Sequence, residues 1–140
     1  MVVLNPYLNF TDKAEEVLNF YQSVLGGEVE MSRFGDMADS LPSPLAEEHK
    51  NLLMHGVLKN DYLQIMVADS APMGPSEVGG NIHLSLSGDD EAALTKYYEG
   101  LSAGGQIAEP LAKAPWGDTF GMFVDKFGIK WMVNIAGPKS

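Results

Sequence analysis

Two halves of this sequence repeat the same order of elements, and this repetition constrains the fold more than any other feature. Each half begins with alternating apolar and polar residues, a pattern typical of a strand with one buried face. An amphipathic helical segment follows and ends at two consecutive glycines, Gly26-Gly27 or Gly104-Gly105. Three more strand-like segments complete each half. The sequence therefore predicts two βαβββ modules, at approximately 1–70 and 79–140, joined by a Pro- and Gly-containing linker at approximately 69–80.

The boundaries of the predicted elements come from hydrophobic periodicity and from residues that begin or end a helix. The first helix, AEEVLNFYQSVL, is predicted to follow a cap at Thr11 or Asp12, and the second a cap at Asp89 or Asp90. Residues 35–50, which are polar and acidic, are predicted to form a long loop of the kind that is often functional. The predicted fold class is α+β. Strands are predicted at 2–10, 28–34, 52–58, 62–68, 81–87, 106–111, 120–124 and 129–135.

Pairs of residues at fixed offsets support the repeat. At an offset of 76 the first strands of the two halves align, which matches Tyr7 with His83. At an offset of 68 the last strands align, which matches Gln64 with Met132. Chance similarity between two strand–helix–Gly-Gly segments is the alternative, and the ordered match at several positions argues against it.

The charge of the chain limits its partners. Nine basic and 19 acidic side chains give a formal net charge of −10. Because nucleic acids and anionic membranes are bound through clustered Lys and Arg, neither is expected as a partner.

There is no cysteine, which excludes disulfides and thiolate metal sites. Residues 1–10 lack the features of a signal peptide and no apolar run approaches the roughly 20 residues of a membrane span, so a cytoplasmic location is predicted.

The polar faces of the predicted strands combine amides, aromatic rings and thioethers. A solvated strand face normally carries more Lys, Glu and Thr, whereas an apolar wall with few polar anchors is typical of a small-molecule cavity. An ordinary solvated face and a dimer interface are the alternatives. In addition, Trp116 is placed in a loop from which it could close over a flat ligand or pack against a dimer partner. The candidate ligand-binding residues are Asn5, Tyr7, Asn9, Tyr62, Gln64, Asn81, His83, Trp116, Met132 and Asn134.

Three stretches of the chain resemble a known group of proteins. They are NPYLNFTDKAEEVLNFYQSVLGGEVE, SRFGDM and PWGDTFGMFVDKFGIKWMVN, and together they extend over nearly the whole sequence. These stretches resemble PhnB-like proteins, also described as 3-demethylubiquinone methyltransferase-like, of the vicinal-oxygen-chelate superfamily. The resemblance implies the glyoxalase/bleomycin-resistance/dihydroxybiphenyl dioxygenase fold, in which two βαβββ modules form a curved mixed sheet. It also implies a homodimer.

The resemblance further implies where a metal ion would bind. Enzymes of this superfamily hold a divalent metal with His, Glu or Gln from the first and last strands of both modules. At the matching positions this sequence has Asn5, Gln64, Asn81 and Met132. Two Asn amides, one Gln amide and a thioether are poor ligands for a divalent metal, which prefers imidazole or carboxylate. No metal and no cofactor are therefore predicted, and a displaced metal site around His83 is the alternative.

A methyltransferase of the nucleotide-binding type is not predicted. Such a fold needs a Gly-rich loop between a strand and a helix, whereas both glycine pairs here follow helices.

The favoured hypothesis is a metal-independent homodimer that binds a small molecule of unknown identity. A metal-dependent glyoxalase- or dioxygenase-type enzyme with a displaced site is the second hypothesis, and a purely structural or regulatory dimer is the third. Whether the chain catalyses a reaction stays open.

A few other residues have chemistry that a site could use. His83 is the best acid/base candidate, because imidazole titrates near neutral pH, but a hydrogen-bonded pocket histidine without catalysis is the favoured interpretation. His55 is interpreted as a structural histidine in a strand. Asp118 and Asp125 flank a strand and are interpreted as turn-forming, with Asp118 as an alternative residue of the cavity mouth. Trp131 falls on the apolar face of the last strand and is predicted to lie in the core.

Overall fold

A computed structural model describes residues 4–40, 44–75, 79 and 82–137 of the chain, without the side chains of residues 39 and 40. The predicted α+β class and the doubled βαβββ order are confirmed. The elements of the first half are β1 (Tyr7–Phe10), α1 (Ala14–Leu25), β2 (Glu28–Arg33), β3 (Leu53–Lys59) and β4 (Gln64–Asp69). Those of the second half are β5 (Leu84–Gly88), α2 (Glu91–Ser102), β6 (Gln106–Lys113), β7 (Thr119–Val124) and β8 (Lys130–Ile135).

The chain divides into two compact units, Met1–Glu77 and Val78–Ser140. Each unit forms a four-stranded mixed sheet of its own, in the order β1-β4-β3-β2 and β5-β8-β7-β6. In both sheets the first and last strands of the module pair in parallel, and the other neighbours pair in antiparallel fashion. The predicted long loop contains 3-10 turns at Phe34–Ser40 and Glu47–His49. Within the described residues, neither helix has the length and apolar character needed to cross a membrane.

One helix packs against one face of each sheet and forms its core. In α1, Val17, Leu18 and Tyr21 are fully buried, as the helical spacing of apolar residues requires. In α2, Tyr98 meets Phe123 of β7 edge to face at 5.2 Å. Each fully buried apolar side chain of this size contributes about 1.5–3 kcal/mol, so these faces account for much of the stability of each module. The core also contains Trp131, which is 1% exposed, as predicted.

The two helices begin in different ways. Asp90 caps α2 by accepting a hydrogen bond from the backbone N–H of Ala93 at 3.0 Å, as predicted. The predicted cap of α1 at Thr11 or Asp12 is wrong, because α1 begins at Ala14 after Lys13, whose side chain makes no capping bond. Instead Asp69, at the end of β4, accepts a hydrogen bond from the Ala14 N–H at 2.8 Å. The cap of α1 is therefore a tertiary contact, which a local motif cannot indicate.

The strand ladders define which residues of the two modules are equivalent. In each sheet a glycine on the third strand pairs with a valine on the fourth, which pairs with a leucine on the first. The equivalent triplets are Gly56, Val67 and Leu8, and Gly121, Val133 and Leu86.

The triplets place the first strands 78 residues apart and the last strands 66 residues apart, so the predicted offsets of 76 and 68 are wrong by two. A shift of two residues keeps every side chain on the same face of a strand, so alternation alone cannot detect it. The equivalent of His83 is Asn5 rather than Tyr7, and the equivalent of Met132 is Met66 rather than Gln64.

Candidate functional site

Gly56 and Gly121 identify the two sides of each sheet. A Cβ atom at Gly56 would lie 2.9 Å from the side chain of Leu18 in α1, and one at Gly121 would lie 2.7 Å from the ring of Tyr98 in α2. Residues in register with these glycines therefore face the helix, and their neighbours along each strand face away from it. We call the second set the helix-free face. Its central row is Tyr7, Met66, Val57 and Glu30 in the first sheet, and Ser85, Met132, Met122 and Glu109 in the second.

Most of the predicted ligand-binding residues of the first module lie on or beside its helix-free face. Tyr7, which is 46% exposed, and Asn9 are on β1, and the half-buried Gln64 is the first residue of β4. Asn5 is half-buried just before β1. Tyr62 is not in a strand: it is 59% exposed in the turn before β4, where its backbone N–H donates to the Asn60 side chain. The structure therefore brings Tyr7, Asn9 and Gln64 onto one surface and places Tyr62 in the turn that precedes β4.

The predicted residues of the second module fall into three groups. Asn81 lies outside the described residues. His83 is exposed just before β5. Met132 and Asn134 are half-buried on the helix-free face of β8, and the Trp116 ring is connected to the Asn134 side chain.

Trp116 is an exposed side chain that is nevertheless held in place. It is 60% exposed in the loop before β7. Its indole Nε1–H donates a hydrogen bond to Asn134 Oδ1 at 3.3 Å, and its ring meets Phe120 edge to face at 5.4 Å. An exposed indole with its N–H engaged presents its ring face for stacking without the cost of ordering the side chain at the time of binding.

Asp118 orients the amide that holds Trp116. Its Oδ2 accepts a hydrogen bond from Asn134 Nδ2 at 3.0 Å, and its Oδ1 accepts one from the Gly137 backbone N–H at 2.8 Å. These two bonds, the Asn134 bond first, hold the pKa of Asp118 below its ordinary value. The sequence indicated only a turn or a cavity mouth for Asp118, because its partners are 16 and 19 residues away.

Removal of the Asp118 carboxylate is expected to loosen Trp116. In Asp118→Ala the Asn134 amide loses a partner that determines its orientation, so the indole loses its oriented acceptor. We expect lower fluorescence anisotropy and stronger acrylamide quenching, since the other tryptophan, Trp131, is buried and contributes a constant background. Asp61→Ala, at an exposed carboxylate of the first module, is the control. Unchanged quenching in Asp118→Ala would contradict the proposed role.

His55 is a residue of the helix-free face that the sequence did not place in the site. Its ring lies beside that of Tyr7, with 5.9 Å between ring centroids and an interplanar angle of 51°. The alternation of residues predicts which side of the sheet a histidine or a tyrosine faces. It does not predict that the two side chains, which lie on different strands, are neighbours. The first sheet thus presents an imidazole and a phenol side by side.

A pocket opens on the same face of the first sheet. Its volume is about 320 Å³, at the lower end of the range for small-molecule sites. Two carboxylates, an ammonium group, an amide and one apolar side chain line it. These are Glu28, Glu30, Lys59, Gln64 and Val57.

The side chains at the superfamily's metal positions do not suit a divalent ion. Three of the four, Asn5, Gln64 and Met132, offer only neutral donors, and the fourth lies outside the described residues. The ladder gives His83 as the equivalent of Asn5 and Lys130 as the equivalent of Gln64. The imidazole of His83 could ligate a metal ion, whereas the cation of Lys130 would repel one. Across the described ranges, no group of three or more His, Asp or Glu side chains is arranged to hold a metal ion. The displaced site around His83 is therefore not favoured.

Comparisons with known proteins agree with this architecture. The sequence model of the Glyoxalase/Bleomycin resistance protein/Dioxygenase superfamily matches residues 3–133. The chain is similar to Protein YjdN of Escherichia coli K12, with 29% identity over 141 residues, 95% of each chain. It is similar in structure to PA1353 of Pseudomonas aeruginosa, with a TM-score of 0.85, 34% identity, and coverage of 99% of this chain and 100% of that one.

A further solved structure shares the fold of this chain. The PhnB protein of Bacillus cereus, whose description proposes a 3-demethylubiquinone-9 3-methyltransferase, has a TM-score of 0.72 and 24% identity, with coverage of 96% of this chain and 100% of that one. The superfamily match covers nearly the whole chain, and both sheets have the element order that the resemblance implies. The chain belongs to the Glyoxalase/Bleomycin resistance protein/Dioxygenase superfamily.

Proposed function

We propose that this protein binds a small organic molecule on the helix-free faces of its sheets and does so without a divalent metal ion. The observation that carries the proposal is Trp116, which is 60% exposed yet anchored to Asn134 and Phe120. An exposed indole gains nothing for the core, whereas a fixed ring face beside thioethers suits an apolar or aromatic ligand. Asn134 and Gln64 supply hydrogen-bonding groups at the two faces.

The donor set supports the metal-independent part of the proposal. Neutral amides and a thioether bind uncharged or amphipathic organic groups better than a divalent ion, whose charge they do not compensate. The positive charge of Lys130, two residues before Met132 on β8, acts in the same direction. Ligand recognition then depends on stacking, apolar contact and a few hydrogen bonds.

The proposal includes a homodimer. Leu4 is 98% exposed and Ile82 is 75% exposed, and each lies just before the edge strand that begins its module. Large exposed apolar side chains beside the first strand of each module support association with a second copy. Sedimentation equilibrium of wild type and of Leu4→Ser/Ile82→Ser tests this part, with a dimer and a weakened dimer as the expected results. The cytoplasmic location stays a prediction of the sequence.

Ligand binding can be measured through Trp116. We expect compounds that raise the melting temperature of EDTA-treated protein to change its tryptophan emission as well. Trp116→Ala should weaken their binding at least tenfold, which corresponds to about 1.4 kcal/mol for loss of a stacking partner. Trp131 keeps an emission signal in that variant, because it lies in the core.

Two controls make the experiment decisive. Tyr62→Ala removes an exposed aromatic ring that lies in a turn, and it should leave binding unchanged. Addition of Zn²⁺, Ni²⁺ or Mn²⁺ should not raise the affinity. Binding that survives Trp116→Ala and Asn134→Ala undiminished, or that requires an added metal, would refute the proposal.

A further inference from the structure

We infer that the pocket of the first sheet recognises a zwitterion of the α-amino-acid type that carries an apolar side chain. This inference rests on the proposed function and specifies the chemical class of a ligand for the helix-free face of the first sheet. It follows from the order of charges across the pocket, from the absence of internal pairing among those charges, and from the apolar row beside them.

The strand ladders place three different polar groups in one row. Glu28 of β2 lies directly opposite Lys59 of β3, and Lys59 lies directly opposite Gln64 of β4. Side chains at directly opposite positions have Cβ atoms about 4.5–5.5 Å apart. A carboxylate, an ammonium group and an amide therefore line one edge of the pocket, with the second carboxylate, Glu30, two residues further along β2.

These charges do not neutralise one another directly. In the described part of the chain, ion pairs within 4 Å join Arg33 to Glu15 and Lys50 to Glu47, and none involves Glu28, Glu30 or Lys59. A ligand ammonium group can therefore be accepted by the two carboxylates of β2. A ligand carboxylate can be held by the Lys59 ammonium and the Gln64 amide N–H. A molecule with both groups on one carbon satisfies both ends of the row.

The adjacent row explains why the ligand should also carry an apolar side chain. This adjacent row is the central row of the helix-free face, in which Glu30 is followed by Val57, Met66 and Tyr7. It runs across the sheet parallel to the row of Glu28, Lys59 and Gln64. A side chain that extends from the zwitterion would lie over these groups, where thioether and ring contacts are favourable. The volume of about 320 Å³ suits a ligand of this size.

The second module does not repeat the charged row. At the equivalent positions it has Gln106, Val124 and Lys130, so the carboxylate–ammonium pair is replaced by an amide and an apolar group. Its central row, by contrast, keeps a carboxylate, because Glu109 is the equivalent of Glu30. The difference confines zwitterion recognition to the first sheet and provides a control residue at a matched position.

The test compares three related probes by isothermal titration calorimetry on the full chain. L-phenylalanine carries both charges, L-phenylalaninamide lacks the carboxylate, and N-acetyl-L-phenylalanine lacks the ammonium group. We expect L-phenylalanine to bind and each analogue to bind at least tenfold more weakly. Lys59→Gln should remove the preference over the amide, and Glu30→Gln should reduce the preference over the N-acetyl compound.

Matched substitutions in the second module control for the overall change of charge. Glu109→Gln and Lys113→Gln alter exposed side chains of β6 and should leave all three affinities unchanged. Circular dichroism spectra of all variants should coincide with that of wild type, because each substitution is at the surface. Equal losses in the Glu30 and Glu109 variants would mean that net charge, and not the pocket, determines binding, and would overturn the inference.

The probes also separate this inference from the proposed function. If no probe binds at millimolar concentration while compounds from the thermal screen still depend on Trp116, the zwitterion inference is wrong and the proposed function stands. If the amide binds as tightly as L-phenylalanine, the pocket recognises a simple amine and the inference is equally wrong. If the screen finds no Trp116-dependent compound, the part of the proposed function that rests on Trp116 fails, and the probes then test binding at the first sheet by itself.

Discussion

Replacement of Asp69 by alanine is expected to lower the free energy of unfolding by roughly 2–5 kcal/mol. Asp69 is 2% exposed, and its two oxygens accept hydrogen bonds from the backbone N–H groups of Ala14 and Leu53, each at 2.8 Å. Alanine would leave both donors without their acceptor, and a buried unsatisfied donor costs about 1–3 kcal/mol. Urea denaturation followed by far-UV circular dichroism measures the loss.

The control for Asp69 is an exposed carboxylate of the same module. Asp61→Ala should change stability by no more than about 0.5 kcal/mol, since surface substitutions away from special contacts have small effects. If the Asp69→Ala variant were as stable as the Asp61→Ala variant, the hydrogen bonds of Asp69 would not stabilise the contact between the start of α1 and the start of β3.

Asp69 should also make stability depend on pH in a defined direction. Burial raises the pKa of its carboxyl above the ordinary value, against the lowering effect of the bonds from Ala14 and Leu53. The native state then binds the proton more tightly than the unfolded chain, so this contribution to stability is present at low pH and is lost as pH rises through the raised pKa. We expect the stability of wild type relative to Asp69→Asn to increase as pH falls from 7 towards the ordinary pKa of aspartic acid. A constant difference would contradict the assignment.

The second large effect is expected at Asp125, whose replacement by alanine should cost roughly 3–5 kcal/mol. Asp125 is 3% exposed. Its Oδ1 accepts bonds from the N–H groups of Phe127 and Ile129 at 2.9 and 3.0 Å, and its Oδ2 accepts one from Trp131 Nε1 at 2.9 Å. Alanine would abolish the turn contacts and leave the buried indole N–H unsatisfied. Urea denaturation and the near-ultraviolet signal of Trp131 measure the loss.

The variant Asp125→Asn separates the stability that comes from the turn hydrogen bonds from the stability that comes from the Trp131 hydrogen bond. The equivalent turn of the first module already uses an amide, since Asn60 Oδ1 accepts from the N–H groups of Tyr62 and Leu63, each at 3.0 Å. Asparagine should therefore keep the turn but present an NH₂ group to the Trp131 N–H, at a cost of about 1–3 kcal/mol. If the asparagine variant were as unstable as the alanine variant, the indole bond, and not the turn, would account for the whole effect.

The two aspartates show where sequence reasoning succeeds and where it fails. Asp125 was predicted to form a turn, and its Oδ1 accepts hydrogen bonds from residues two and four positions further along the chain. Asp69 was placed at the start of a linker, but it is the last residue of β4, and its partners lie 55 and 16 residues away. Local spacing reveals the first kind of contact because the turn itself brings the atoms together. The second kind exists only after the sheet and helix have packed.

The candidate site divides in the same way. Sequence alternation correctly put Tyr7 and Asn9 on a different side from the apolar residues of β1, because successive strand residues face opposite sides. It missed that His55 lies beside Tyr7, and that Asp118 orients Asn134, because both contacts join strands or loops that are distant in sequence. It also placed Tyr62 in a strand, whereas the Asn60 side chain holds it in a turn.

The sequence by itself determined the repeated βαβββ order, the helix faces, the burial of Trp131 and the superfamily, since each depends on local periodicity or on a contiguous motif. Only the tertiary structure decided the register between strands, and with it which side chains of the two modules are equivalent. A shift of two residues preserves every face, so the hydrophobic pattern fits several registers equally well. The ladder hydrogen bonds and the packing of Gly56 and Gly121 beneath their helices select one of them, and that register creates the charged row Glu28–Lys59–Gln64.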